Sequence, residues 1–212
     1  MVDTKGNAFN DIDQTRVVAI KDIKNIINEF LTGNTSLYEF KTSLDSYNKQ
    51  NNYWGFTAAK GQMFFNLLAK SSEADIKSLV QLLKNIITEP INLQDGLNKM
   101  KQLFEYASAY LQKSPDRRKV ANPMSSAYFL SYFWQIHDHY KWPIMYSSII
   151  VSFQKLGIWK DHDTSYGNYE YFYHMNEEAK AVLKEHTGHP ISNWDLEHAL
   201  WNFSGTATHN SK

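Results

Sequence analysis

Apolar residues recur every three or four positions along almost all of this chain, and nowhere do they alternate in twos. That pattern restricts it to helices: side chains three or four apart share a helix face, whereas a half-buried strand needs every second one. Ile20, Ile23, Ile27, Phe30 and Leu31 set the pattern, and Thr32-Gly33 supplies the stop. Ser36 opens a Ser-x-x-Glu capping box with Glu39, so a second helix is expected to run to about Gln50. A polar and aromatic turn around Gly55 follows, then a short helix from about Gly61 to Ala69.

Ile76, Leu79, Val80, Leu83 and Ile87 make the next stripe, ended by Pro90. Leu93, Leu97, Met100, Phe104, Ala107 and Leu111 make another, which stops near Ser114-Pro115. Residues 114–123 read as a basic loop between an N-terminal helical half, 1–113, and an aromatic-rich C-terminal half, 124–203. In the second half a helix is expected over Ala127–His137, broken by Trp142-Pro143, and another over Ile144–Leu156, stopped by Gly157. A long helix carrying Tyr169, Phe172, Tyr173, Asn176, Ala179, Val182 and Leu183 ends near Gly188. The last starts at Ser192 or Asn193 and carries Trp194, Trp201 and Phe203, and 204–212 form a small, polar, frayed tail. The expectation is an all-α bundle of about eight or nine helices, as one domain or as two helical halves.

Composition narrows the class. Hydrophobic residues make up 42% and aromatics 15%, enough for a sizeable core. With no cysteine, disulfide scaffolds and zinc-thiolate sites are excluded. Residues 1–10 are polar and lack a signal-peptide core, and the longest apolar runs, such as Tyr146 to Phe153, fall far short of the ~20 residues that span a membrane. A cytoplasmic protein without a membrane partner is therefore expected. Twenty-two basic residues balance twenty-two acidic ones, which argues against coating nucleic acid by overall charge. The balance is uneven along the chain. Between Leu97 and Val120 six basic residues face Glu105 and Asp116, and from Lys160 onward eight acidic residues face four basic ones.

No cofactor or metal is expected. His137 and His139 are two apart, the wrong spacing for two ligands on one helix face, and His186 and His189 straddle a helix end. His162 sits between Asp161 and Asp163. There is no Gly-x-Ser-x-Gly elbow, no Walker A loop and no Gly-x-Gly-x-x-Gly turn. Glu177-Glu178 lies on a helix and reads as a solvated face rather than an acid/base pair. A non-catalytic chain is the preferred reading; carboxylates dispersed along the sequence, as in nucleases, stay open as the alternative.

Two segments are candidates for binding. Lys113 and the run Arg117-Arg118-Lys119 offer cations that could contact phosphates; the other reading is an ordinary solvated loop. Tyr53 and Trp54, beside Gly55, could stack on an unpaired base or plug the core.

The aromatic segment also carries a family pattern. Asn52-Tyr53-Trp54-Gly55-Phe56 followed by Gly61-Gln62-Met63-Phe64-Phe65-Asn66 resembles a motif of the helical modules that precede the motor in McrB-like AAA+ proteins of bacterial restriction and defence. Ser125 to Leu130, Trp142 to Ser147 and Asn193 to Trp201 resemble later parts of the same module, so the resemblance covers roughly 15–203. It departs in lacking any motor, which makes the chain either a fragment of a longer protein or a stand-alone relative, and NTP hydrolysis does not transfer. The resemblance implies a recognition module, often for DNA bearing modified bases. Two functions follow as expectations. One is a non-catalytic defence module that binds nucleic acid, and the other is a protein-interaction module that docks a phage protein, a motor or a nuclease.

Overall fold

The computed structural model describes residues 9–51 and 61–204. These contain nine α-helices and no strand: α1 Phe9–Thr32, α2 Leu37–Gln50, α3 Gly61–Ser71, α4 Ile76–Ile86, α5 Leu93–Lys113, α6 Ser126–His137, α7 Ser147–Lys155, α8 Ser165–Thr187 and α9 Asn193–Ser204. The local signals act where the sequence places them. Ser36 and Glu39 form the reciprocal capping box at the start of α2, satisfying two backbone donors that would otherwise be orphaned. Gly33, Gly157 and Gly188, beyond the ends of α1, α7 and α8, take positive φ of 88°, 72° and 72°, where a side chain would be strained.

One expectation is corrected. Helix α7 starts at Ser147, not at Ile144. Pro143 has no N–H to offer a helical turn, and the Met145 N–H donates instead to the Ser131 hydroxyl at 3.1 Å. The Tyr169 hydroxyl donates to the Pro143 carbonyl at 3.2 Å. Residues 143–146 are thus held by side chains of α6 and α8, and the buried Ile144, Met145 and Tyr146 enter the core outside any helix.

Helix α6 is central. Every residue from Ser126 to Ile136 except Tyr128 is buried, the mark of a helix packed on all sides. It packs against α1, α3, α5 and α8. Phe133 and Phe129 join an aromatic cluster with Phe65 of α3 and Phe40 of α2, and Phe40 stacks on Phe30 of α1 at 4.4 Å. On its other side Trp134 meets Trp142 and Tyr169 and donates to the Ile86 carbonyl at 3.0 Å. Buried apolar residues from Ala19 to Leu200, on both sides of the 114–123 segment, belong to one core cluster. No helix among the described residues is long and apolar enough to cross a membrane.

Candidate functional site

Three features could serve recognition: the basic turn after α5, a buried ionic cluster between the first and last helices, and an apolar groove beside α8. Lys113 ends α5, and Arg117, Arg118 and Lys119 form a short 3-10 turn; all four are exposed. Asp116 caps this turn and draws in two of the cations. Arg118 Nε donates to its Oδ1 at 3.1 Å, and Lys119 Nζ lies 3.9 Å from its Oδ2. The Arg118 hydrogen bond holds the Asp116 carboxyl below the usual carboxylate range. Lys113 and Arg117 have no carboxylate partner among the described residues. Lys99, counted in the basic stretch, is buried; it binds the Thr88 and Glu89 carbonyls at 3.3 Å and pairs with Asp95 at 3.4 Å. It closes the end of α4 and contributes nothing to a surface patch. Tyr53 and Trp54 lie outside the described residues.

His137, His139 and His186 make contacts within the fold. His137 sits against the Ile87 carbonyl with Nε2 2.9 Å away, which fixes the proton on that nitrogen, and its own carbonyl accepts from Lys24 at 3.0 Å. His139 stacks on Trp194 with centroids 4.1 Å apart, and His186 Nδ1 lies 2.8 Å from the Val182 carbonyl. Among the described residues no three His, Cys, Asp or Glu side chains gather where they could hold a metal ion. Burial pushes both His137 and His139 below the ordinary histidine value of 6.5. Each therefore takes a proton more readily in the unfolded chain, so its contribution to stability is complete above about pH 6.5 and is lost as pH falls below it. The urea midpoint is expected to drop between about pH 7.5 and pH 5. His137→Gln, which keeps a donor for the Ile87 carbonyl, should flatten that dependence, and an unchanged slope would count against His137 as its source.

Arg16 of α1 and Glu197 of α9 form a buried two-pronged ion pair, with Nη2–Oε1 at 2.6 Å and Nη1–Oε2 at 3.3 Å. Asp13 bridges Arg16 Nη1 at 3.7 Å to His198 Nε2 at 2.9 Å. The guanidinium lies over Trp194, 5.3 Å from its ring centre. Arg16, Glu197 and His198 are at most 5% exposed, and only Asp13 of this cluster reaches solvent. It joins α1 to α9, and its charges are spent on one another.

The open feature is a groove of about 770 Å³ between the end of α7 with its following loop, α8 and α9. Leu156 and Ile158 line it from the loop, Val182 from α8 and Phe203 from α9, and all four are between 41% and 53% exposed. At one end Trp159 meets Tyr171 edge-on at 5.6 Å, while the Tyr171 hydroxyl donates to the Ile158 carbonyl at 2.6 Å. The Trp159 indole donates to Asp161 at 2.7 Å. Two aromatic rings are thus locked as a wall, and most of the remaining lining is apolar, with Lys160 and Glu178 as its charged members.

No family model, curated protein or solved structure matches this chain.

The groove was not among the sites read from the sequence. Its signal lies in α8, which carries apolar residues on two faces. Tyr169, Phe172 and Asn176 point into the core, while Tyr171, Met175 and Val182 line the groove. The residues that mark this helix in the sequence include members of both faces, Tyr169 and Phe172 from the core and Ala179 and Val182 from the groove. Of the paired acids, Glu177 binds Lys180 at 2.6 Å and Glu178 lines the groove.

Proposed function

We propose that this chain is a non-catalytic recognition module whose ligand is a protein, docked in the groove between α7, α8 and α9. The observation that carries this is the exposure of Leu156, Ile158, Val182 and Phe203 around one concave surface. Single exposed apolar residues are ordinary, but several around one cleft mark a place that is covered during function. The resemblance of the motif residues to modules of McrB-like proteins supports a setting in bacterial restriction or anti-phage defence, where the docked protein would be a phage component, a motor or a nuclease.

Nucleic-acid binding is the second reading. The free cations of Lys113 and Arg117 favour it, and the pairing of Arg118 and Lys119 with Asp116 weakens it. Two variants separate the readings. Val182→Ser/Phe203→Ser removes groove contacts without altering charge, and Arg117→Ala/Arg118→Ala removes the basic turn. Both change exposed side chains, so helical circular dichroism should stay unchanged. A defence protein co-purifying with wild type and with the arginine variant, but lost with the serine variant, is the expected outcome. Labelled DNA that binds at ~50 mM salt, weakens steeply by ~200 mM and is released by the arginine variant would instead establish the second reading.

A further inference from the structure

The groove has the dimensions of an absent helix. Tyr171, Met175 and Val182 recur at i, i+4 and i+11 on α8, and Leu196, Leu200 and Phe203 at i, i+4 and i+7 on α9. These are the intervals at which a helix offers one stripe to a neighbour. From Tyr171 to Leu183 the floor extends about 18 Å, the length of ~12 helical residues at ~1.5 Å each. A third helix lying on both stripes would complete a three-helix packing unit.

The rim adds a charge requirement. Glu178 lines the groove, and Glu185, seven residues on, shares its side of α8. Both are exposed, and neither pairs with a cation among the described residues. Exposed Asp195 precedes Leu196 at the start of α9, its carboxylate accepting from Ser192. Among the described residues Lys160, beside Trp159, is the one basic side chain lining the groove. We propose that the groove takes a basic amphipathic α-helix of a partner protein, its apolar stripe on α8 and α9 and its lysines or arginines along Glu178 and Glu185. This rests on the protein-binding reading above and adds the shape and charge of what is bound.

The test is fluorescence anisotropy of the full chain with labelled ~18-residue peptides, leucines placed at i, i+3, i+4 and i+7 and the remaining positions lysine or, in a second peptide, glutamate. The lysine peptide is expected to bind, and the glutamate peptide to bind at least about tenfold more weakly. Glu178→Lys/Glu185→Lys should reverse that order, and Val182→Ser/Phe203→Ser should lose both peptides. Equal binding of the two peptides, still abolished by the serine variant, would overturn the charge assignment and leave the protein-binding groove standing. Binding of neither peptide, or binding that survives the serine variant, would overturn both. Dimerisation of the chain that the serine variant abolishes would also overturn the proposal, in favour of a second copy as occupant.

Discussion

Arg16→Met is expected to destabilise the fold by about 3–5 kcal/mol, the range for removing one member of a buried ion pair. The cause is what remains. Glu197 is almost wholly buried, and both its oxygens are taken up by the Arg16 guanidinium. Without that partner it must keep an uncompensated charge inside the protein or take up a proton. Asp13 loses its guanidinium neighbour as well, although it is partly exposed and keeps its contact with His198 Nε2. Desolvation consumes most of the attraction in such a pair, so an apolar pair of similar volume can do as well. The double variant Arg16→Met/Glu197→Leu is therefore expected to recover most of the loss. Urea titration of the single and double variants measures both quantities. A single variant within about 1 kcal/mol of wild type would show that the pair holds α1 to α9 only weakly.

Trp134→Ala should cost a similar amount, about 3–5 kcal/mol, for a different reason. Trp134 is fully buried on the central helix, in contact with Trp142 and Tyr169, and the α5 backbone comes close to it at Gly96. A β-carbon on Gly96 would stand 3.4 Å from the indole, and glycine itself has no side chain to fill the space left by truncation. The Ile86 carbonyl would also lose the indole N–H at the end of α4. Trp134→Phe isolates that second part. It keeps a ring in the core and leaves one buried acceptor unpaired, a loss of about 1–3 kcal/mol. Both are read by urea unfolding, with near-ultraviolet circular dichroism reporting the aromatic packing. A Phe variant as unstable as the Ala variant would place the importance of Trp134 in its hydrogen bond rather than in its volume.

The helices were legible because their signals are local. The capping box at Ser36, the glycines at 33, 157 and 188 and the three-to-four residue recurrence of apolar side chains all act within a few residues of themselves. The start of α7 was not legible, since Ile144–Tyr146 is apolar enough for a helix. Only the Ser131 hydroxyl, from another part of the chain, tells the Met145 N–H to go elsewhere. Lys99 is a similar case. In the sequence it is one more cation in a basic stretch, and in the fold it is an internal bond to the end of α4. The basic turn loses strength for a local reason, because the neighbouring Asp116 holds Arg118 and Lys119.

By itself, then, the sequence determined an all-helical chain, most of its helix ends, and a supply of aromatic residues that must be buried, because backbone capping and helical periodicity are short-range. Tertiary structure alone decided which faces stay uncovered. Val182 and Phe203 have the same chemistry as residues in the core. What leaves them exposed is that α7, α8 and α9 meet along one side and not the other, with Glu178 and Glu185 on the open edge. Exposure depends on which neighbours arrive from distant parts of the chain, and periodicity in one helix carries no record of them.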